Sequence, residues 1–327
     1  PMDRATIDRA RVVVTRQPPG EAVVRLSSVA DVWLWPHDRA IDRGELLRRV
    51  VDARGLYCML TDRIDAELLD AAPDLVAVST MAVGVDNIDI ASCRARGISI
   101  GHTPDVLTDS TADLAWTLLM ASSRRLGEGI DYVRSGLWGE WEPDALLGHD
   151  VAHTTVGIVG MGRIGAGVAR RARGFSMDIV YASRSSHPAI ESETGARRLT
   201  LEELLAVADH VVVCVALNDD TRGLIDAEAL ALMQPTANLV NVARGPVVDS
   251  DALSDALSTG TIRCAALDVT DPEPIPRDHP LVSLPNCLIV PHVGSATERT
   301  RIAMADLAAD NLIAAIAGRP MPAPYPM

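Results

Sequence analysis

Residues 155–167 read TVGIVGMGRIGAG. Gly160, Gly162 and Gly165 stand there in G-x-G-x-x-G spacing, with Arg163 and Ile164 between the last two and the amphipathic ARRARG stretch just beyond. The spacing alone is a weak signal. It becomes specific when a β-branched run precedes it and a helical pattern follows, as both do here. The first glycine permits a tight turn, the second lets backbone approach a pyrophosphate, and the third lets helix and sheet close; the helix N-terminus then favours an anion. The stretch predicts the first βα turn of a dinucleotide-binding domain.

Reading outward, five further strand-like runs follow the first: MDIVYAS, HVVVCVA, ANLVNVA, RCAALDV and NCLIVPH, with helical patterns between them. Six strands behind a glycine-rich turn is the count of a Rossmann domain. Upstream, RVVVT, ADVWLW, GLYCML, LVAVST and GISI alternate with helical segments in the same way, which predicts a second parallel sheet. Two long helices are expected at the joins. One runs from about Ser110 to Arg125 with a capping box over S-T-A-D, and one from about Thr297 to Ala317 carries Leu307, Leu312 and Ile316 inward. The second packs most simply on the first sheet. The expected fold is α/β with two doubly wound parallel-sheet domains, a discontinuous one over 1–104 plus 294–327 and an inserted dinucleotide-binding one over 105–293.

Composition narrows the chemistry. The 327 residues suffice for two cores, and no apolar run approaches the ~20 residues of a membrane span. The N-terminal stretch does not read as a secretory signal, so a cytoplasmic location is expected. A formal net charge of -14 disfavours nucleic acid. The chain has no lysine: all 30 basic residues are arginine, which excludes Schiff-base chemistry and the Walker A site. Five cysteines without a CxxC pair read as buried thiols. HDVAH at 149–153 imitates a zinc signature poorly, having Asp for Glu and little room for a helix, so no metal is expected.

An Asp or Glu about 20 residues beyond the glycine turn would bind a free ribose 2′-hydroxyl. Ala182 occupies that place, followed by Ser183, Arg184 and Ser185. A guanidinium flanked by hydroxyls suits a 2′-phosphate, so NADP(H) is the expected cofactor with NAD(H) as the alternative; a solvated surface arginine is the other reading of Arg184.

Three motifs close the last three strands: NVARGPVVD, ALDVTDPEP and PHVGSAT. The carboxyl ends of such strands border the ligand site, which brings Arg244, Glu273 and His292 together by topology. Gly245 is expected to free the backbone to turn, and Asp249 to cap the next helix. Taken singly, His292 reads as a hydrogen-bonded loop histidine and Glu273 as a solvated turn residue. Occurring together after a dinucleotide turn, they read as a proton donor and its carboxylate partner, with Arg244 as the anion anchor.

On these motifs, and on VSTMAVGVDNID, TPDVLTD and GLWGEWEP, the chain resembles the D-isomer-specific 2-hydroxyacid dehydrogenases over essentially its whole length, most nearly the glyoxylate/hydroxypyruvate reductase branch. The resemblance implies a flavodoxin-like substrate domain beside the Rossmann domain, and catalytic roles for Arg244, Glu273 and His292. It implies reduction of small 2-oxo acids to 2-hydroxy acids. It also implies carboxylate binding by Ala82, Val83 and Gly84, a loop that on sequence alone reads equally as a tight turn. Further contacts carried over are Thr108, Leu217, Val242, Ala243, Asp268, Gly294 and Ser295 around nicotinamide and pyrophosphate or substrate. Trp138 and Trp141 read as one packed helical face; the resemblance makes them part of a homodimer arm, with Trp141 shaping the partner's substrate pocket. Phosphite or another 2-hydroxy acid is the alternative substrate, although the lysine expected in a phosphite-binding loop is replaced by Val83. A nucleotide-sensing corepressor is the alternative of another class.

Overall fold

The computed structural model describes residues 9–326. The chain divides into two compact units, Pro1–Leu107 with Ala296–Met327, and Thr108–Ser295. These divisions lie two or three residues beyond those expected from sequence.

In the first unit β1 (Arg11–Val14), β2 (Asp31–Leu34), β3 (Gly55–Cys58), β4 (Ala77–Thr80) and β5 (Ser99–Gly101) form a parallel sheet in the order β2-β1-β3-β4-β5. That is the flavodoxin-like order. Central β3 and β4 are buried along their whole length, as strands covered on both faces must be. The helix Glu298–Ile316 lies on this sheet, with Thr297 capping it through the Thr300 amide. Its inward face is Met304, Ala305, Ala308, Ala309 and Leu312. Leu307 and Ile316, expected inward, are only half-buried, because the small alanines bring the helix close along a neighbouring stripe.

The second unit holds β6 (Thr155–Val159), β7 (Asp178–Ala182), β8 (Arg197–Arg198), β9 (His210–Val213), β10 (Asn238–Asn241), β11 (Cys264–Leu267) and β12 (Cys287–Ile289). The order is β12-β11-β10-β9-β6-β7-β8, parallel throughout, reversing between β6 and β9. The two-residue β8 is an edge strand with no apolar pattern, which is why six strands rather than seven were expected.

The helix Thr108–Ser123 packs against β10, β11 and the helix Arg163–Ala172. At their contact a Cβ on Gly167 would stand 3.0 Å from the Ala112 Cβ, so a larger side chain would part the helices. Because this helix starts at Thr108, the S-T-A-D stretch lies inside it and forms no cap. A capping box occurs instead at Thr200 and Glu203, ahead of Leu201–Val207. All five cysteines are free thiols. Among the described residues no helix is long and apolar enough to cross a membrane.

Candidate active site

The glycine turn is built as its spacing requires. Gly160 has φ +98, and its amide donates to the Ala182 carbonyl at 2.8 Å, tying β6 to the end of β7. A Cβ on Gly165 would fall 2.1 Å from the Gly160 carbonyl oxygen, so the first helical turn fits only without a side chain there. Nothing lies within 4 Å of a Cβ on Gly162. The helix Arg163–Ala172 starts there with no side-chain cap. An open glycine face at an uncapped N-terminus fits a dinucleotide pyrophosphate, which would be held by the amides after Gly162.

The three chemical side chains stand at the carboxyl ends of β10, β11 and β12, which are neighbours in the sheet. Beyond β10, Val242 and Ala243 are buried and Arg244 is extended. Asn241, buried at the strand end, braces this exit: its amide donates to the Arg244 carbonyl at 3.0 Å and its oxygen accepts from the Ala243 amide at 3.0 Å. The Arg244 guanidinium donates to the Ala243 carbonyl at 2.9 Å. Gly245 does not act by turning freely. A Cβ there would stand 1.9 Å from the Thr270 carbonyl oxygen, so this glycine lets the chain leaving β10 touch the chain leaving β11. Pro246 is the second residue of the short 3-10 turn Gly245–Val247, and its carbonyl accepts from the Gly223 amide at 2.8 Å. Asp249 caps Ser250–Thr259 through the Ala252 amide at 2.9 Å.

Beyond β11, Asp268 is buried, and its carboxylate accepts from the amides of Val293 at 2.6 Å and Gly294 at 2.9 Å. A Cβ on Gly294 would stand 2.9 Å from that carboxylate, so the glycine is needed for the bond. The Asp268 carbonyl accepts from the His292 amide at 2.9 Å, and His292 sits at φ +54. A non-glycine residue held left-handed costs roughly 1–2 kcal/mol, which these bonds offset.

That backbone presents His292 Nδ1 to Glu273 Oε1 at 2.6 Å. The side chains are 24% and 35% exposed, so the pair is shielded yet reachable. Burial pushes the Glu273 carboxyl up, but the hydrogen bond and charge of His292, the Thr270 amide and the Arg244 charge together hold it below its ordinary value. Burial raises the Asp268 carboxyl against the pull of its two amides and of His292.

The other expected residues fall as follows. Ser183 is half-buried, and Arg184 and Ser185 are exposed in the turn after β7. Thr108 opens its helix, Leu217 packs on the second unit's core beyond β9, and Ser295 ends that unit. Ala82, Val83 and Gly84 follow β4 in the first unit. The Ala82 carbonyl accepts from Thr103 and the Val83 carbonyl from His102, both at 2.9 Å. Among the described residues no acceptor takes the amides of 82–84. Trp138 and Trp141 are not on a helix: both lie in irregular chain after Leu126–Arg134, and Trp141 is 83% exposed. His149 and His153 are likewise outside any helix, and among the described residues no cluster of His, Cys, Asp or Glu is arranged for a metal. Sequence reading missed the braces Asn241 and Asp268's amide contacts; the signal was a polar side chain ending an otherwise apolar strand.

An open glycine turn at an uncapped helix start and a His–Glu pair beside Arg244's charge, on one end of one sheet, fit a dinucleotide-dependent dehydrogenase. Residues 116–294 match the D-isomer specific 2-hydroxyacid dehydrogenase NAD binding domain. A glyoxylate reductase of Thermococcus kodakarensis is 50% identical over 94% of this chain and 93% of its own. The human glyoxylate reductase/hydroxypyruvate reductase is 45% identical over 95% of this chain and 96% of its own. Among solved structures, an NADPH-dependent glyoxylate/hydroxypyruvate reductase of Sinorhizobium meliloti, in complex with NADP and malonate, is 32% identical with TM-score 0.84 over 97% of each chain. The chain belongs to the D-isomer specific 2-hydroxyacid dehydrogenase family, and is an enzyme that binds a nicotinamide cofactor.

Proposed function

We propose that this enzyme reduces small 2-oxo acids, glyoxylate and hydroxypyruvate, to their 2-hydroxy acids, with NADP(H) preferred. The observation that carries the reading is the 2.6 Å His292–Glu273 pair with Arg244's charge acting on the same carboxylate. Bound nicotinamide supplies the hydride to the keto carbon. Arg244 grips the acid's carboxylate and polarises its keto oxygen, where negative charge develops. His292 gives that oxygen its proton through Nε2, since Nδ1 is engaged by Glu273. Glu273 stabilises the imidazolium before transfer and fixes the ring afterwards. Within the first unit, the amides of Ala82, Val83 and Gly84, whose neighbouring carbonyls are already engaged, are suited to bind a carboxylate.

NADP(H) preference rests on the missing acid at Ala182 and on Ser183, Arg184 and Ser185 after it, a set of donors suited to a 2′-phosphate. Arg163, Ile164 and the glycines meet the pyrophosphate, and Thr108, Leu217, Val242, Ala243, Asp268, Gly294 and Ser295 complete the surroundings of cofactor and substrate. The homodimer reading rests on the exposed apolar side chains Leu126, Ile130, Val133, Leu137, Trp138 and Trp141, which follow one another along a single stretch of chain. Trp141 would then shape the partner's substrate pocket.

Steady-state rates with glyoxylate, hydroxypyruvate and phosphite, each with both cofactors, test the assignment. Turnover of the two 2-oxo acids with the higher kcat/KM for NADPH is expected. Turnover of phosphite alone, or higher efficiency with NADH, would contradict it.

A further inference from the structure

The turn after β7 is held from behind by an arginine with no place in the reaction. Arg198, on β8, pairs in register with Tyr181. Its Nε and Nη2 donate to the Ser183 carbonyl at 3.1 and 2.8 Å, and Nη2 donates also to the Arg184 carbonyl at 2.9 Å. One guanidinium fork thus grips two consecutive carbonyls. In a trans peptide the N–H points opposite to the C=O. Drawing in the carbonyls of Ser183 and Arg184 therefore turns the amides of Arg184 and Ser185 to the other side. Two successive amides facing one way make a concavity for an anion.

The far end of the turn is pinned independently. The His187 amide donates to the Tyr181 hydroxyl at 3.0 Å, and His187 Nε2 lies 3.4 Å from the Ser183 hydroxyl. Tyr181 is fully buried and donates to Glu191, so this pin is anchored in the core. Among the described residues no acceptor takes the amides of Arg184 and Ser185 or the Arg184 guanidinium.

We propose that Arg198 is a positioning residue for cofactor choice, which holds the backbone of Ser183 and Arg184 so that the amides of Arg184 and Ser185 and the Arg184 side chain converge on a ribose 2′-phosphate. The inference rests on the NADP(H) reading. Arg198 acts through the turn and does not itself contact the phosphate.

Calorimetric titration of the full-length protein with 2′,5′-ADP and with 5′-AMP tests it without turnover. Arg198→Met should weaken 2′,5′-ADP by about tenfold while 5′-AMP stays within about twofold, the loss expected when charge-assisted bonds that order a site are removed. Arg198→Lys should not rescue it, because an ammonium cannot reproduce the planar fork. An unchanged ratio in Arg198→Met, equal losses for both nucleotides, or full rescue by lysine would each overturn the inference, the last because charge alone would suffice. Arg184→Ala separates the two levels. If it abolishes the 2′-phosphate preference and Arg198→Met does not, the cofactor reading stands and the role of Arg198 falls. If the unmodified protein shows no preference, both fall.

Discussion

At the scale of single residues, the site depends on atoms that are absent as much as on side chains that act. Gly245 carries no chemistry, yet a methyl group there would meet the Thr270 carbonyl oxygen at 1.9 Å. Neither backbone can yield without moving Arg244 on one side or the Glu273 turn on the other. Gly245→Ala is expected to cost about 3 kcal/mol in stability. Turnover should fall on the order of a hundredfold, because a shift near 1 Å in a positioning group has that effect. Thermal midpoint and kcat measured on one preparation check both; a variant with normal stability and rate would show that the two strand ends are not held against each other. Sequence made the glycine visible and gave it the wrong reason. A turn is local and can be read from Gly-Pro, whereas a contact between residues 245 and 270 depends on two strand ends meeting. The meeting of Glu273 and His292 was legible because strand ends in a parallel sheet have a known destination. The left-handed His292 backbone that brings the two to 2.6 Å was not, since it is set by Asp268.

At the scale of elements, the opposite end of the second sheet carries polar groups that the reaction does not use. Asn238, at the start of β10, donates to the Leu119 carbonyl at 3.2 Å and to the Ser122 and Ser123 hydroxyls at 2.9 and 3.1 Å, fastening the end of the helix Thr108–Ser123. His210, at the start of β9, is buried beside this network. Its pKa is pushed down by burial and by His149, against Asp209 and the Asp150 backbone. The His149 pKa is lowered by burial and then by Arg263, against Asp209 and Asp150. Both therefore favour the neutral form in the folded state. Above an unfolded value of about 6.5 they are neutral in both states, and the stability they allow is fully present. As pH falls through that value towards their lowered folded values, the unfolded chain takes up protons first and stability is lost. Glu273, also held below its ordinary value, adds a loss only in the lower carboxylate range. The thermal midpoint should thus decline from about pH 7 to 5. In His210→Gln that decline should be shallower; an identical slope would remove His210 from the account. Sequence located these strands from their β-branched runs, but missed β8 because two arginines carry no periodicity.

At the scale of the whole molecule, the two parallel sheets and the family were legible because βα alternation leaves few topologies and four ordered motifs agree. An oligomeric state is harder to read, since an exposed apolar side chain has no partner in its own sequence. Leu137, Trp138 and Trp141 are exposed by 65% or more. Light scattering should give twice the 34.8 kDa chain mass. Trp141→Ala should change the ratio of kcat/KM between glyoxylate and hydroxypyruvate. A monomeric mass, or an unchanged ratio, would detach this segment from the substrate pocket.

The central claim is that His292, held by Glu273, protonates the keto oxygen of a 2-oxo acid. Its most direct test is NADPH oxidation with glyoxylate by the unmodified enzyme and by His292→Ala, with NADPH affinity measured on both. Loss of the proton donor should lower kcat by at least about a thousandfold, within the range of general acid catalysis, while the dissociation constant for NADPH stays within about twofold. A His292→Ala enzyme that turns over glyoxylate within about tenfold of the unmodified rate would contradict it.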